Sequence, residues 1–384
     1  MKESDMSAYI TGLGVYLPNE PVTNDQIEAV LGEINGQPSQ LKDAVLDRNG
    51  IKTRYYAIDR ETGQSTHTNA QMTAAAIHAM ADDRGLAVDE IQLLACGTSS
   101  PDQFIPSHAS MVHGLVGCGP CELISTAGVC CSSVAALKHA YLSVKAGEVA
   151  NAVATGSELA SSYLRASHFR SRVEADVNAN FYLAFEHEFL RWMLSDGAGA
   201  VLLEPRPREQ SLSLRIDWID IISFANELET CMYCGALKRE DGSLHPWREV
   251  RDVDQLWREG YLNLGQDVEV LQANMLPVAM RRSLEQVRAK HQLQPDDIDW
   301  MLPHMSSHFF QQPIYELLVE MGIELPYHKW FTNLATKGNT GAASVLIMLE
   351  ELWSSGRLAP GQRLLCVVPE SARFTFGYLH LTVM

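Results

Sequence analysis

Two adjacent cysteines, Cys130 and Cys131, stand in the stretch Ile124 to Gly147, ISTAGVCCSSVAALKHAYLSVKAG. It opens with small residues and then turns amphipathic. Val134, Leu137, Tyr141 and Val144 recur at intervals of three and four, which gathers them on one helical face. Gly147 ends that helix, and Lys145 lies in its last turn, where the dipole favours a cation. The cysteines therefore fall at the helix start, where free backbone N–H groups and the positive dipole end stabilise a thiolate. A thiol placed there is a nucleophile candidate, although a single cysteine is more often a small buried apolar residue. Two residues far along the chain are its natural companions. His304 ends the apolar strand Trp300 to Pro303, and Asn339 follows the turn Lys337-Gly338 at the start of a helix. Taken alone, the histidine reads as structural and the asparagine as a helix cap.

An internal repeat connects the three. Tyr9 to Pro18, Ile91 to Gly97, Leu123 onward and Asn151 to Thr155 read as strands, alternating with helices at Thr68 to Arg84, His108 to Leu115 and after the cysteines. That alternation predicts an α/β fold with largely parallel sheets. Asp196 to Ala200, DGAGA, reads as a tight turn before the strand Val201 to Leu203, and the polar stretch Pro205 to Glu209 divides the chain into halves 1–205 and 206–384. The triplet Asp89-Glu90-Ile91 recurs as Asp296-Asp297-Ile298, each time before an apolar strand. The cysteine helix, closed by Gly147, matches Ala342 to Ser355, closed by Gly356, and the same offset carries Cys130 onto Asn339. In such folds ligands bind at strand C-termini and helix N-termini, where all three residues stand.

Composition narrows the function. The 384-residue chain has a net charge of −17, which argues against a nucleic-acid surface. No apolar run is long enough to span a bilayer, and MKESDMSAYITGLG lacks a signal-peptide core, so a cytoplasmic protein with reduced thiols is expected. Two basic groups, Arg48, Lys52, Arg54 and Arg165, Arg170, Arg172, read as small patches for an acidic partner or as solvated faces. Cys118-Gly119-Pro120-Cys121 copies the thioredoxin tetrapeptide, but a strand-like segment follows it instead of a helix. Cys231 and Cys234 repeat the spacing and raise the idea of a zinc site shared between the two pairs.

With these residues in place, the chain resembles the thiolase-like condensing enzymes, most closely β-ketoacyl-acyl-carrier-protein synthase III. The resemblance runs through ITGLGVYLP, NGIKTR, FIPSHASMVHGLVG, VKAGEVANAVATGSE, SDGAGAVLLE, DIDWMLPH, KGNTGAAS and SGRLAPGQ, and so covers nearly the whole chain. It implies a five-layered αβαβα fold of two similar halves, a homodimer, and a Cys-His-Asn triad at Cys130, His304 and Asn339. It implies acyl transfer to Cys130, then decarboxylative condensation with a malonyl or β-ketoacyl thioester carried by acyl carrier protein or CoA. No cofactor and no catalytic metal are expected. Transfer of the acyl group to an alcohol or amine on the same fold, and housekeeping fatty-acid initiation, are the alternatives.

Three departures from the family pattern stand out. The terminal loop, Pro369-Glu370-Ser371-Ala372-Arg373-Phe374, has no glycine where the family has a glycine-rich oxyanion loop. After the histidine the chain continues Met305-Ser306-Ser307-His308-Phe309-Phe310, without the asparagine and basic residue of many primer-type members. Tyr163 to Leu194 is longer than its family equivalent, and Tyr163, Phe169, Phe181, Tyr182 and Phe185 there are candidates to line an acyl channel. CCSS and the tail PESARFTFGYLHLTV are similar to ketosynthases that build dialkylresorcinols or cyclohexanediones, and the glycine-free loop with the long Tyr163 to Leu194 segment predicts a medium or long acyl chain.

Overall fold

The computed structural model describes residues 7–169 and 188–384. Its principal strands are β1 (Tyr9–Tyr16), β2 (Leu93–Thr98), β3 (Glu122–Thr126), β4 (Ala152–Glu158), β5 (Gly197–Glu204), β6 (Leu214–Ser223), β7 (Trp300–Pro303), β8 (Arg363–Glu370) and β9 (Thr375–Val383). The helices that frame them are α1 (Asn69–Arg84), α2 (His108–Val116), α3 (Ser132–Ala146), α4 (Arg281–His291), α5 (Gln311–Glu320) and α6 (Ser344–Ser354). Local chemistry sets the boundaries. Thr68 accepts a hydrogen bond from the Gln71 N–H to start α1, Ser107 does the same for α2 through Ser110, and left-handed glycines at 85, 117 and 147 end α1, α2 and α3.

The strands form one sheet in the order β7-β8-β9-β6-β1-β5-β4-β2-β3. The expectation of largely parallel sheets does not hold. β2 pairs parallel with β3 and β4, and β7 with β8, but the remaining neighbours, including β1 with both β5 and β6, run antiparallel. Periodicity along a strand reports burial and not the direction of its neighbour, so this lay beyond the sequence. The turn expected at DGAGA is also corrected: Gly197 to Ala200 are strand, paired with β1 and β4. Their small size serves packing, since a Cβ on Gly199 would lie 2.6 Å from the Leu346 Cβ.

Alternate strand residues divide between layers. Leu93 and Ala95 of β2, Leu364 and Cys366 of β8, and Leu379 and Leu381 of β9 face a central core with α3 and α6. Leu94 and Cys96 face an outer core with α1 and α2, while Leu365, Val367 and Tyr378 face another with α4 and α5. The two parts of the one sheet thus share the central helices, giving the layers helix, sheet, central helices, sheet, helix. The repeat is visible in the topology as well. Each matched triplet sits in a short 3-10 turn, Val88–Glu90 and Pro295–Asp297, that leads into β2 or β7.

The central helices meet the sheet at their N-termini. A Cβ on Gly156 in β4 would stand 2.3 Å from the Ala342 carbonyl oxygen and 2.6 Å from the Ser133 Cβ. Only a residue without a side chain permits that approach, and it brings the starts of α3 and of the Gly341–Ala343 turn together.

Candidate active site

Cys130 lies two residues before α3, and Asn339 two residues before the helical turn Gly341–Ala343 that leads into α6. His304 follows the C-terminal end of β7, its backbone N–H donating to the Val367 carbonyl at 2.8 Å. The three residues the sequence singles out are spread over 209 positions of the chain, yet they line one cavity of about 400 Å³.

The structure distinguishes the two cysteines. Cys130 lines the cavity, whereas the Cys131 thiol turns into the core and donates to the Val368 carbonyl at 3.1 Å and the Thr375 carbonyl at 3.6 Å. Cys130 is not a resting thiolate, contrary to the sequence expectation. Burial, reinforced by the carboxyls of Glu370 and Glu158, holds its thiol well above the usual range. Desolvation outweighs the helix-start effect because the charged form loses water on every side.

His304 is neutral at physiological pH, since burial pulls its pKa down to about 4. Its Nδ1 is buried and has no hydrogen-bond partner among the described residues. An unpaired buried acceptor costs less than an unpaired buried N–H, so the proton belongs on Nε2. Asn339 is held from both sides of its backbone: its N–H donates to the Met193 carbonyl at 2.9 Å, and its carbonyl accepts from the Ser195 N–H at 2.8 Å. Its Oδ1 accepts from the Gly341 N–H at 3.0 Å. The Nδ2 amide therefore remains a free donor among the described residues, beside the His304 donor in the same cavity.

Two carboxyls beside the site went unassigned in the sequence. Glu158 ends β4 and lines the cavity, and burial raises its pKa to about 7. It accepts from the hydroxyls of Ser99 at 2.8 Å and Ser100 at 2.6 Å, and from the Ser99 N–H at 3.1 Å. A Cβ on Gly341 would lie 2.7 Å from its Cγ, so Glu158 also buttresses the segment that follows Asn339. Glu370 explains the glycine-free loop. Its carboxylate accepts from the backbone N–H groups of Ala372, Arg373 and Thr375. Phe374 can then take a left-handed φ of 58° without glycine. What the loop adds to the cavity is Pro369 and Ser371, the Ser371 hydroxyl accepting from Gln266 Nε2 at 3.2 Å. An acid at the C-terminal end of an apolar strand was the available signal for both carboxyls.

The rest of the cavity wall is mostly apolar, with Leu190, Leu194, Met232, Leu244, Leu271, Met275, Met305 and Phe310 among its members. Of the expected channel aromatics, Tyr163 lines it, but Phe169 packs with Ile34 and Ala166 in a separate cluster. Phe181, Tyr182 and Phe185 lie outside the described residues. Much of the wall comes from the segment between β6 and α4, whose only sequence signal, the Cys231/Cys234 spacing, pointed to a metal and not to a cavity wall. The expected basic patch is also revised. Arg54 is fully buried, donating to Asn24 Oδ1 at 2.6 Å and the Trp192 carbonyl at 3.1 Å. Arg165 binds the Gly63 carbonyl and the Ser65 hydroxyl, and Arg170 and Arg172 lie outside the described residues. The two C-x-x-C pairs do not form a shared metal site: Cys231 and Cys234 donate to the carbonyls of Asp267 and Leu262, and Cys234 lines the same cavity as Cys130.

Comparison with known proteins bears on this arrangement. Residues 41–208 match the β-ketoacyl synthase N-terminal domain, and residues 288–371 match the C-terminal domain of 3-oxoacyl-[acyl-carrier-protein] synthase III. β-Ketoacyl-[acyl-carrier-protein] synthase III of Bordetella petrii is 28% identical over 96% of each chain, and that of Chlorobaculum tepidum 26% over 98% of this chain and 99% of its own. The chain belongs to the β-ketoacyl-acyl-carrier-protein synthase III family. It is a condensing enzyme of the acyltransferase class, and its fold is thiolase-like. The synthase superposes on 3-oxoacyl-(acyl carrier protein) synthase III from Pseudomonas aeruginosa at a TM-score of 0.70, with 21% identity over 98% of both chains. It also superposes on AbyA1, a tetronic acid condensing enzyme, at 0.77, with 20% identity over 98% of this chain and 99% of that one. OleA of Xanthomonas campestris, solved with lauric acid and lauroyl-CoA, gives 0.71 with 17% identity over 98% of this chain and 99% of that one. Among the described residues no helix is long and apolar enough to cross a membrane.

Proposed function

We propose that this synthase loads a medium or long acyl chain onto Cys130 and condenses it with a carrier-bound malonyl or β-ketoacyl thioester. The observation that carries the reading is the convergence of Cys130, His304 and Asn339 on one cavity whose wall is otherwise mostly apolar. In the first step the Cys130 sulfur attacks the incoming thioester carbonyl, and the carrier thiol departs with the thiol proton. The Cys130 N–H at the helix start is placed to receive the developing oxyanion. In the second step the malonyl carboxylate leaves as CO2, and the electron pair forms an enolate. The His304 Nε2–H and the Asn339 amide hold that enolate oxygen; both are neutral donors, so they stabilise the charge without quenching the carbanion. The carbanion then attacks the acyl-Cys130 carbonyl and expels the Cys130 thiolate. The reaction needs no cofactor beyond the phosphopantetheine arm of acyl carrier protein or CoA.

The chain-length reading is supported by the apolar wall and by the lauroyl ligands of a fold relative. Six extra methylenes in octanoyl over acetyl are worth up to about 5 kcal/mol if all are buried, at about 0.8 kcal/mol each. The Glu370-held loop and the likeness to a tetronic acid condensing enzyme support a role in specialised polyketide biosynthesis of the dialkylresorcinol type. We assign the synthase to the cytoplasm as a homodimer, with Phe104 and Ile105, 74% and 86% exposed, as apolar groups for a second copy to cover. The test is competition between acetyl and octanoyl thioesters for Cys130, read by intact-protein mass. Octanoyl should dominate; acetyl dominance would return the protein to fatty-acid initiation.

A further inference from the structure

The first C-x-x-C pair occupies a corner of the fold that catalysis does not use. Helix α2 ends at Gly117, whose N–H donates to the His113 carbonyl at 3.2 Å. The turn Cys118-Gly119-Pro120-Cys121 then leads directly into β3. His113, in the last turn of α2, folds back over this turn, and its Nε2–H donates to the Gly119 carbonyl at 3.0 Å. One ring nitrogen of His113 and the sulfurs of Cys118 and Cys121 lie within 4.8 Å of one another, all half-buried. Both cysteines are free thiols.

Two features separate this corner from a redox dithiol, which it resembles in sequence. A redox C-x-x-C pair uses a helix N-terminus to stabilise its thiolate. Here the pair follows a helix C-terminus, whose negative end opposes a thiolate and favours a cation. The pair is also followed by β3 and not by a helix, so no helix start is available to activate either thiol. A divalent metal reverses that penalty, because it displaces the thiol protons and neutralises both charges. The hydrogen bond from His113 to Gly119 resembles the way ligating histidines are anchored, with the ring fixed by a backbone carbonyl.

We propose that His113, Cys118 and Cys121 form a binding site for zinc, with the fourth tetrahedral position taken by water. Zinc–sulfur bonds of about 2.3 Å and zinc–nitrogen bonds of about 2.0 Å set ligand separations of about 3.5 to 3.8 Å, so the three groups need to close by about 1.3 Å at most. Zn²⁺ enters with no change of oxidation state, and each thiol releases one proton to solvent. The ion ties the end of α2 to the start of β3, the edge strand of the sheet, which runs on to the Cys130 turn.

The test uses the full-length protein, stripped with a chelator, reduced with a phosphine, and titrated with cobalt chloride. One Co²⁺ per chain should bind, with a thiolate-to-cobalt charge-transfer band, and zinc chloride should displace it. Cys118→Ser, Cys121→Ser and His113→Ala should each weaken binding at least about tenfold. Zinc should raise the melting temperature of the native sequence but not of the Cys118→Ser/Cys121→Ser double variant. Acylation of Cys130, read by mass, reports whether each variant is folded. The proposal is overturned by sub-stoichiometric binding, by undiminished binding in the double variant or in His113→Ala, or by binding that disappears in Cys130→Ala. Formation of a Cys118–Cys121 disulfide under mild oxidant with no metal uptake after reduction also overturns it, in favour of the redox reading.

Discussion

Replacing Gly156 by alanine should cripple condensation although this residue touches no substrate. The new methyl would lie 2.3 Å from the Ala342 carbonyl oxygen, 2.6 Å from the Ser133 Cβ and 3.0 Å from the Ala342 carbonyl carbon. Ordinary contact begins near 3.5 Å, so the start of α3 and the turn after Asn339 must retreat by about 1 Å in opposite directions. Overpacking of this kind costs about 1 to 3 kcal/mol. For a chain this size that lowers the melting temperature by several degrees, at roughly 2–4 °C per kcal/mol. The catalytic effect should be larger. Cys130 and Asn339 ride on the two segments being pushed apart, and a misplacement of about 1 Å typically costs on the order of a hundredfold in rate. The assay is CO2 release from a malonyl thioester by pre-acylated enzyme, with acylation followed separately by mass and unfolding by calorimetry. Gly114→Ala in α2 is the control, because a Cβ there meets nothing within 4 Å. It should leave turnover unchanged and stabilise by up to about 1 kcal/mol. A Gly156→Ala enzyme with native condensation rate and native stability would refute the argument that this contact sets the distance between nucleophile and donors.

Cys130→Ala should abolish covalent acylation. Cys131→Ala should retain it while losing about 1–2 kcal/mol of stability, since its thiol is buried against the Val368 carbonyl; the opposite pattern by mass spectrometry would reverse the assignment. His304→Ala and Asn339→Ala should still acylate but condense on the order of a hundredfold more slowly or worse, and equal loss of both steps in Asn339→Ala would contradict the division of labour. The pKa of His304 is lowered on folding to about 4, so from pH 6.5 down to 4 the unfolded chain binds a proton that the folded chain refuses. Its contribution is present above pH 6.5 and is lost as the pH falls, by about 1.4 kcal/mol per pH unit at most. His304→Gln should flatten that part of the denaturation profile, and an unchanged slope would place the titration elsewhere. Glu158 acts in the opposite sense: its pKa is raised on folding to about 7, so it opposes stability as the pH rises from 4.5 to 7. Glu158→Gln should reduce that decline, as measured by urea unfolding at pH 5 and pH 8.

Much of this protein was legible in its residues because covalent order and periodicity carry it. The three-and-four spacing after Cys131 and the closing Gly147 specify α3, and structure places that helix at Ser132–Ala146. The repeated Asp-Glu-Ile and Asp-Asp-Ile triplets mark similar places in the fold, a short 3-10 turn that leads into β2 in one case and β7 in the other. The motifs around Cys130, His304 and Asn339 sufficed to nominate the three residues that converge on the cavity. Other properties exist only once distant segments touch. Strand direction depends on the neighbour and not on the strand, so the antiparallel β1, β5 and β6 contacts could not be read from alternation. DGAGA reads as a turn until α6 is seen to need room over Gly199. The Cys130 thiol is lifted, not lowered, because desolvation and the carboxyls of Glu158 and Glu370, 28 and 240 positions downstream, outweigh the helix start. Charge state and packing distance are properties of a whole surrounding shell, which in this chain is assembled from both halves, and a shell of that kind has no local signature in the order of residues.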